Sequence, residues 1–275
     1  MTNFPAFISQ CALLARFELY RLVGSPRGWF ALGAFSVIWY FLLRYPIFEA
    51  SAQLQQPEVQ GMLGRVFGMV GLHNLLNWPL PELSVYWLIT LLLLPLVAVL
   101  TSADQTASDR SRGTLRFLTL RTSRSAIVLG RFAGQMLVQA LLVLLSLLAT
   151  LALAAWRLGS LPLAAFEHAL IVWLNLLIVL APFTALMALC SALVRSSKLA
   201  ISLAIVGSGL LMGLLSTLIW YWPDFLWLLE YLPGAQLPLL LAEQGWATLQ
   251  YAALPLAQTA VLLSLAWLVM KGKAL

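Results

Sequence analysis

The segment Thr101–Arg131, TSADQTASDRSRGTLRFLTLRTSRSAIVLGR, holds the chemistry most open to a partner in this 275-residue chain. Asp104 and Asp109 precede Arg110 and Arg112, Gly113 interrupts, and Arg116, Arg121, Arg124 and Arg131 follow. Carboxylates and guanidiniums mixed in this way suit ionic docking rather than bond making. Two surfaces fit: anionic lipid, at about 1 kcal/mol per Arg near the headgroups, or a protein. Asp104 and Asp109 belong to a helix expected to continue out of the preceding apolar run. Gly113 ends that helix, and Thr114 is expected to cap a second one whose Leu115, Leu118 and Ile127 face the membrane or a partner. A smaller basic group, Arg195-Ser196-Ser197-Lys198, lies further along.

Other reactive arrangements are missing from the sequence. It contains no HExxH helix, and no embedded Asp pair or Ser–His pair can be assembled. His73 beside Asn74, and His168 beside Glu167, read as ordinary loop polarity, because no second His or Cys stands near enough to complete a metal site. No GxxxxGK[ST] phosphate loop occurs, so no ATP site is encoded. The two cysteines, Cys11 and Cys190, are expected in reducing surroundings without a disulfide. The strongest polar groups inside apolar runs are Gln135, Gln139, Asn175 and Gln258. Each must bond to a neighbouring helix, for about 1 kcal/mol, or line a pathway. Glu230 is the only charge in Phe225–Leu241. It suits either an exit gate or a side chain reaching for the headgroups.

Six uncharged apolar runs must position these residues: Gly28–Leu43, Leu83–Ala103, Phe132–Trp156, Ala169–Val194, Leu199–Trp222 and Tyr251–Met270. A hydrocarbon core of roughly 30 Å needs about 20 helical residues, so five runs span it comfortably and the first is short. The runs are apolar on every face and too long for barrel staves. With 62% hydrophobic and 9% charged residues, the composition excludes an ordinary soluble domain. The fold class is therefore an all-α polytopic membrane protein with six transmembrane helices.

Alternating the spans puts both termini on one side. That side collects Arg16, Arg21 and Arg27, the six arginines of Thr101–Arg131, Arg195 and Lys198, and Lys271 and Lys273, thirteen of the sixteen Lys and Arg residues. Only Arg44, Arg65 and Arg157 fall opposite, which predicts cytoplasmic termini. The net charge of +6 is a topology signal, and no solvated basic domain remains to bind nucleic acid. The uncharged runs also disfavour an ion-coupled carrier, which usually keeps an ionisable group at membrane depth. Pro95, Pro182 and Pro255 are expected within spans, each removing a helical hydrogen bond. Gly207, Gly209 and Gly213 permit close helix approach and include one GxxxG spacing.

The order Asp109, Arg110, Gly113-Thr114-Leu115, a leucine-rich stretch, Ser123-Arg124 and Gly130 resembles the coupling segment of ABC-2 type permeases. Arg131 stands where Lys is common in that family, and Arg116 where an acid is frequent. Ala15-Arg16-Phe17-Glu18-Leu19, followed by Arg21 and Ser25-Pro26-Arg27, is similar to the family's N-terminal elbow. The resemblance implies a single permease domain over 1–275 with a type V exporter-like ABC-2 fold. Its parts would be an interfacial elbow at 1–27, an outer loop or helix at 44–82, a coupling segment at 102–131 and short outer re-entrant or interfacial helices at 223–250. It further implies a second permease copy, separate ATPase subunits that bind ATP and Mg, and a bacterial inner-membrane location. Contacts to the ATPase would fall on Asp104, Asp109, Arg110, Arg112, Gly113, Thr114, Leu115, Arg124, Arg195 and Lys198.

An uncharged pathway suits export of an amphiphilic or hydrophobic cargo. The alternative is a mechanotransmitter that moves an extracytoplasmic partner protein, docked on the 44–82 loop, without passing cargo. That loop is expected to hold an interfacial helix with Leu63, Val66, Phe67 and Val70 on one face.

Overall fold

The structure is a computed structural model and describes residues 4–54 and 78–272. Those residues are helical with no strand. The outer segment carrying Arg65, His73 and the expected interfacial helix lies outside them.

Helix α1 (Phe4–Gly24) lies against the bundle and hands over to α2 (Pro26–Leu42) through Ser25. Ser25 Oγ accepts from the Gly28 amide at 3.1 Å, and Pro26 occupies the first helical position, where no amide is needed. The first span does not stop at Leu43. A π-helical turn (Leu43–Ile47) carries it into α3 (Phe48–Leu54). Pro46 explains the turn, since it has no amide to give a regular α-ladder, and the wider turn absorbs the gap. The run that looked short therefore belongs to a continuous helical stretch, and the outer segment expected from residue 44 starts as helix.

Helix α4 (Pro81–Thr101) is the second span. It ends at the membrane border rather than continuing outward: a 3-10 turn (Ser102–Asp104) precedes the short α5 (Ala107–Ser111). Gly113, at φ +70°, reverses the chain into α6 (Thr114–Arg121). Gly113 itself holds the N-cap position, without a side-chain cap, so Thr114 does not cap α6. Ser123 does cap the next helix, accepting from Ala126 N at 3.2 Å, and starts α7 (Arg124–Leu158) before the apolar run begins. Gly159, at φ +75°, closes α7, its amide bonding Ala155 O at 2.9 Å.

Helix α8 (Leu163–Leu193) is the buried centre of the bundle, packed against α4, α7 and the last two spans, α9 (Ser197–Tyr221) and α11 (Ala253–Gly272). Between α9 and α11 run a 3-10 helix (Pro223–Tyr231), α10 (Leu237–Ala242) and a second 3-10 helix (Gly245–Ala252). The main core joins Trp39, Tyr86, Trp87, Leu91, Leu147, Leu176 and Leu180 across α2, α4, α7 and α8. Tyr86 is anchored there, its hydroxyl 2.9 Å from Ser146 Oγ. Pro95 and Pro182 do lie inside helices, whereas Pro255 sits in the first turn of α11, where its missing amide interrupts no helical bond.

Candidate functional site: a charge cluster beneath the first inter-span loop

The loop between α4 and α7 is fixed to the bundle by charges drawn from α1, the 3-10 turn, α5 and α7. Arg131, about two turns into α7, is buried and ion-paired to Glu18 of α1 and Asp109 of α5. Gln135, one turn further on, donates from Nε2 to Glu18 Oε2 at 3.1 Å. Arg21 reaches Asp104 Oδ2 at 3.2 Å and Glu18 Oε2 at 3.8 Å. Asp104 Oδ1 in turn accepts the Ser108 amide at 3.0 Å, an acidic group placed at the start of α5. Phe17 lays its ring 5.6 Å from the Arg131 guanidinium carbon, closing the cluster from the side.

Two glycines make this arrangement sterically possible. A Cβ on Gly134 would lie 2.7 Å from Glu18 Cγ and 3.1 Å from Ala15 Cα; one on Gly130 would meet Leu14 Cβ at 2.8 Å. The sequence Gly130-Arg-Phe-Ala-Gly134 is thus the close-approach motif that seats α1 on α7. A Cβ on Gly207, Gly209 or Gly213, the glycines that the sequence singled out, would meet nothing within 4 Å beyond its own helix among the described residues.

Charge is buried at both ends of α7, just outside its uncharged run. Beside Glu18 and Arg131 at one end, Arg157 at the other donates to Glu82 Oε1 and Ser51 Oγ at 2.7 and 2.6 Å. Glu82 is fully buried in the first turn of α4. A helix N-terminus and a guanidinium together offset the cost of burying its charge.

The other expected docking residues divide into two groups. Arg110 donates to Ala192 O at 2.8 Å, and Arg124 to Lys271 O at 2.9 Å and to Met270 O. Both cap C-terminal carbonyls of spans, where the helix dipole favours a cation. Thr114 turns its hydroxyl back to Asp109, 3.0 Å from the main-chain oxygen and 3.2 Å from Oδ1. Leu115, with Ile127, Leu14 and Met270, forms an apolar cluster inside the protein, and Leu118 packs on it. These leucines therefore do not face a membrane or a partner. What faces outward is Arg112, Arg116, Phe117 and Leu120, with Arg195 and Lys198 exposed nearby. Phe117 and Leu120 are 70% and 80% exposed.

The candidate pathway amides all have partners from other elements. Gln139 donates to Ser102 Oγ and accepts from Thr184 Oγ1, both at 3.0 Å. Asn175 donates to Thr248 Oγ1 at 2.8 Å, and Gln258 to Tyr231 O at 2.8 Å. Glu230 lies exposed at the far end of the bundle. Sequence reasoning passed over Gln105, which is buried and donates to Thr184 O at 2.9 Å. A polar residue beyond the end of an apolar run carries no periodic signal. Among the described residues no metal-ligating group of three side chains occurs. Both cysteines are free. Cys11 donates weakly to Ala126 O at 3.8 Å, and burial pushes its thiol pKa up.

A helical bundle with six helices long and apolar enough to cross a membrane, and with charge clusters at the span ends, defines an integral membrane protein. A family model described as ABC-2 family transporter protein matches residues 12–269. The chain belongs to that family, and it is the membrane permease part of an ABC transporter. No curated protein sequence matches it.

Proposed function

We propose that this permease exports an amphiphilic or hydrophobic cargo, driven by a separate ATPase subunit that binds ATP and Mg and seats on the α5–α6 turn. One observation carries the reading. Phe117 and Leu120 stand exposed on a helix whose opposite face, Leu115, is buried, and Arg112 and Arg116 flank them without partners among the described residues. Two large apolar side chains rimmed by unpaired cations are the anatomy of a protein-docking patch. The turn that bears them is tied through Asp109 and Arg131 to α7 and through Glu18 to α1. Closure of the ATPase pair would therefore push one connected body rather than a free loop.

The thirteen-to-three bias of basic residues supports a cytoplasmic position for this end, facing the ATP pool. A second permease copy would cover α2 and α9, whose apolar side chains such as Phe30, Leu210 and Leu214 are exposed. The test is co-purification from gently solubilised membranes with the tagged permease. A phosphate-loop ATPase should accompany the parent chain and be lost with Arg112→Glu/Arg116→Glu, while the yield of folded permease stays the same. Retention of the ATPase by that variant would refute the docking assignment. A soluble outer-face protein bound in stoichiometric amount would replace export with mechanotransmission.

A further inference from the structure

At the end of the bundle away from the charge cluster, the two 3-10 helices, α10 and the start of α11 line an open pocket of about 540 Å³. That volume lies within the range of small-molecule sites, roughly 300–1,000 Å³. Leu229, Leu239 and Leu254 supply apolar wall, and Glu230, Gln236 and Gln250 supply polar groups. No lysine or arginine lines it, and none occurs anywhere from Leu199 to Met270.

Two of the polar groups lack partners. Glu230 makes no ion pair or hydrogen bond among the described residues. Gln236 is 3% exposed, and neither its amide nitrogen nor its amide oxygen has a hydrogen-bond partner. A buried amide with both functions unpaired is rare in folded proteins, because each lost bond costs the desolvation of that atom. Such a residue in a pocket wall marks a place where an occupant completes the bonding. The surroundings reinforce the sign of the occupant. Asp224 and Glu243 flank the same stretch of sequence. An apolar cavity lined by an unpaired carboxylate and by no cation selects against anions.

We infer that this pocket binds an amphiphilic organic cation, its charge against the Glu230 carboxylate and its apolar body against Leu229, Leu239 and Leu254. The inference deepens the export reading by giving the cargo a charge, and it rests on that reading only for the direction of movement. Gln236 then serves as a positioning residue for a hydroxyl or amine carried by the cation.

The experiment compares two hydrophobic ions of nearly the same shape and opposite charge, tetraphenylphosphonium and tetraphenylborate. Equilibrium binding of each is measured on the full chain in phosphatidylcholine nanodiscs, with empty nanodiscs subtracted. Tetraphenylphosphonium should bind saturably and tetraphenylborate should not. Glu230→Gln should weaken the cation's binding about tenfold, the scale of one lost charge-assisted contact, with an unchanged melting temperature because the side chain is exposed. Equal binding of both ions, or unchanged affinity in Glu230→Gln, overturns the inference. The Arg112→Glu/Arg116→Glu variant should bind the cation like the parent chain. ATPase retained by that variant, with selective cation binding, would therefore fault the docking proposal alone, whereas ATPase lost from it, with both ions bound equally, would fault this one alone.

Discussion

Removing the Arg131 guanidinium should release α1 from α7, and the chain carries its own reporter for the event. Arg131 and Glu18 are both about 95% or more buried, and Asp109 is 22% exposed. Truncating one partner of a buried pair typically costs about 3–5 kcal/mol, because the other charge stays buried. In Arg131→Met, Asp109 rehydrates, while Glu18 keeps the Gln135 amide and the more distant Arg21. The lower end of that range applies, and about 3 kcal/mol is roughly a hundredfold in an opening equilibrium. Cys11 sits on the α1 face that meets α7, its thiol bonded to Ala126 O and its carbonyl 3.1 Å from where a Gly130 Cβ would stand. With Cys190→Ala removing the other thiol, maleimide labelling of Cys11 reads the release directly. Burial raises the Cys11 pKa in the closed state, so its thiolate fraction at pH 8 is low and labelling is slow. Arg131→Met should accelerate labelling by about a hundredfold, and adding Glu18→Gln should recover most of the difference, since no buried charge is then orphaned. Parent-like labelling in Arg131→Met, or a double variant as fast as the single, would refute the reasoning.

Gly134→Leu should destabilise the permease by about 1–3 kcal/mol, the usual cost of overpacking, whereas Gly207→Leu should leave the melting of the single permease copy unchanged, since nothing within the described chain meets a side chain there. At the opposite end, Arg157→Met should lower the melting temperature more than Glu82→Gln/Arg157→Met does, because the single change leaves Glu82 buried without its cation. A cysteine placed at residue 112 should react with a membrane-impermeant maleimide only in inverted vesicles; reaction in right-side-out cells would reverse the orientation argued from charge.

The spans were legible because the bilayer imposes a coarse rule, about 20 apolar residues in a row, that any window detects. The structure keeps the six runs and moves their ends. Residues 124–131 belong by sequence to the coupling segment, with Ile127 expected on the helix begun at Thr114, yet they form the first two turns of α7. Their charges do not break the helix; they face α1, α5 and the end of α11. The first apolar run ends at Leu43 in the sequence, whereas a π-turn carries the helix on through Pro46. The cluster itself was not legible. Glu18 and Arg131 stand 113 residues apart, and a single sequence offers no sign that they meet. The glycine spacing that joins their helices was present in the letters but hidden, because Arg131 lies within the motif and marked the stretch as polar.

The two clasps on α7 also limit how the bundle can move. Arg131 and Arg157 are 26 positions apart on one uninterrupted helix, which at 1.5 Å per residue is about 39 Å. The hydrocarbon core is about 30 Å thick, so both guanidiniums fall near its borders, where a charge is far cheaper than at the centre. A tilt of α7 by about 10° around its midpoint would carry each end by roughly 3 Å, given that length. That displacement exceeds the reach of a 2.7 Å ion pair such as Arg157–Glu82. If α7 tilts during turnover, α1 and the α4 end must therefore travel with it, or the clasps must break in every cycle. The first alternative is the cheaper one, since breaking a buried pair costs several kcal/mol. Covalently joining α1 to α7 should then be harmless. A disulfide between Cys11 and Ala126→Cys, in the Cys190→Ala background, should leave ATP hydrolysis by the assembled complex unchanged and restore activity to no further degree on reduction. Arrest by the disulfide, relieved by reductant, would mean that α1 and α7 separate during the cycle and that the clasp is a switch rather than a rivet.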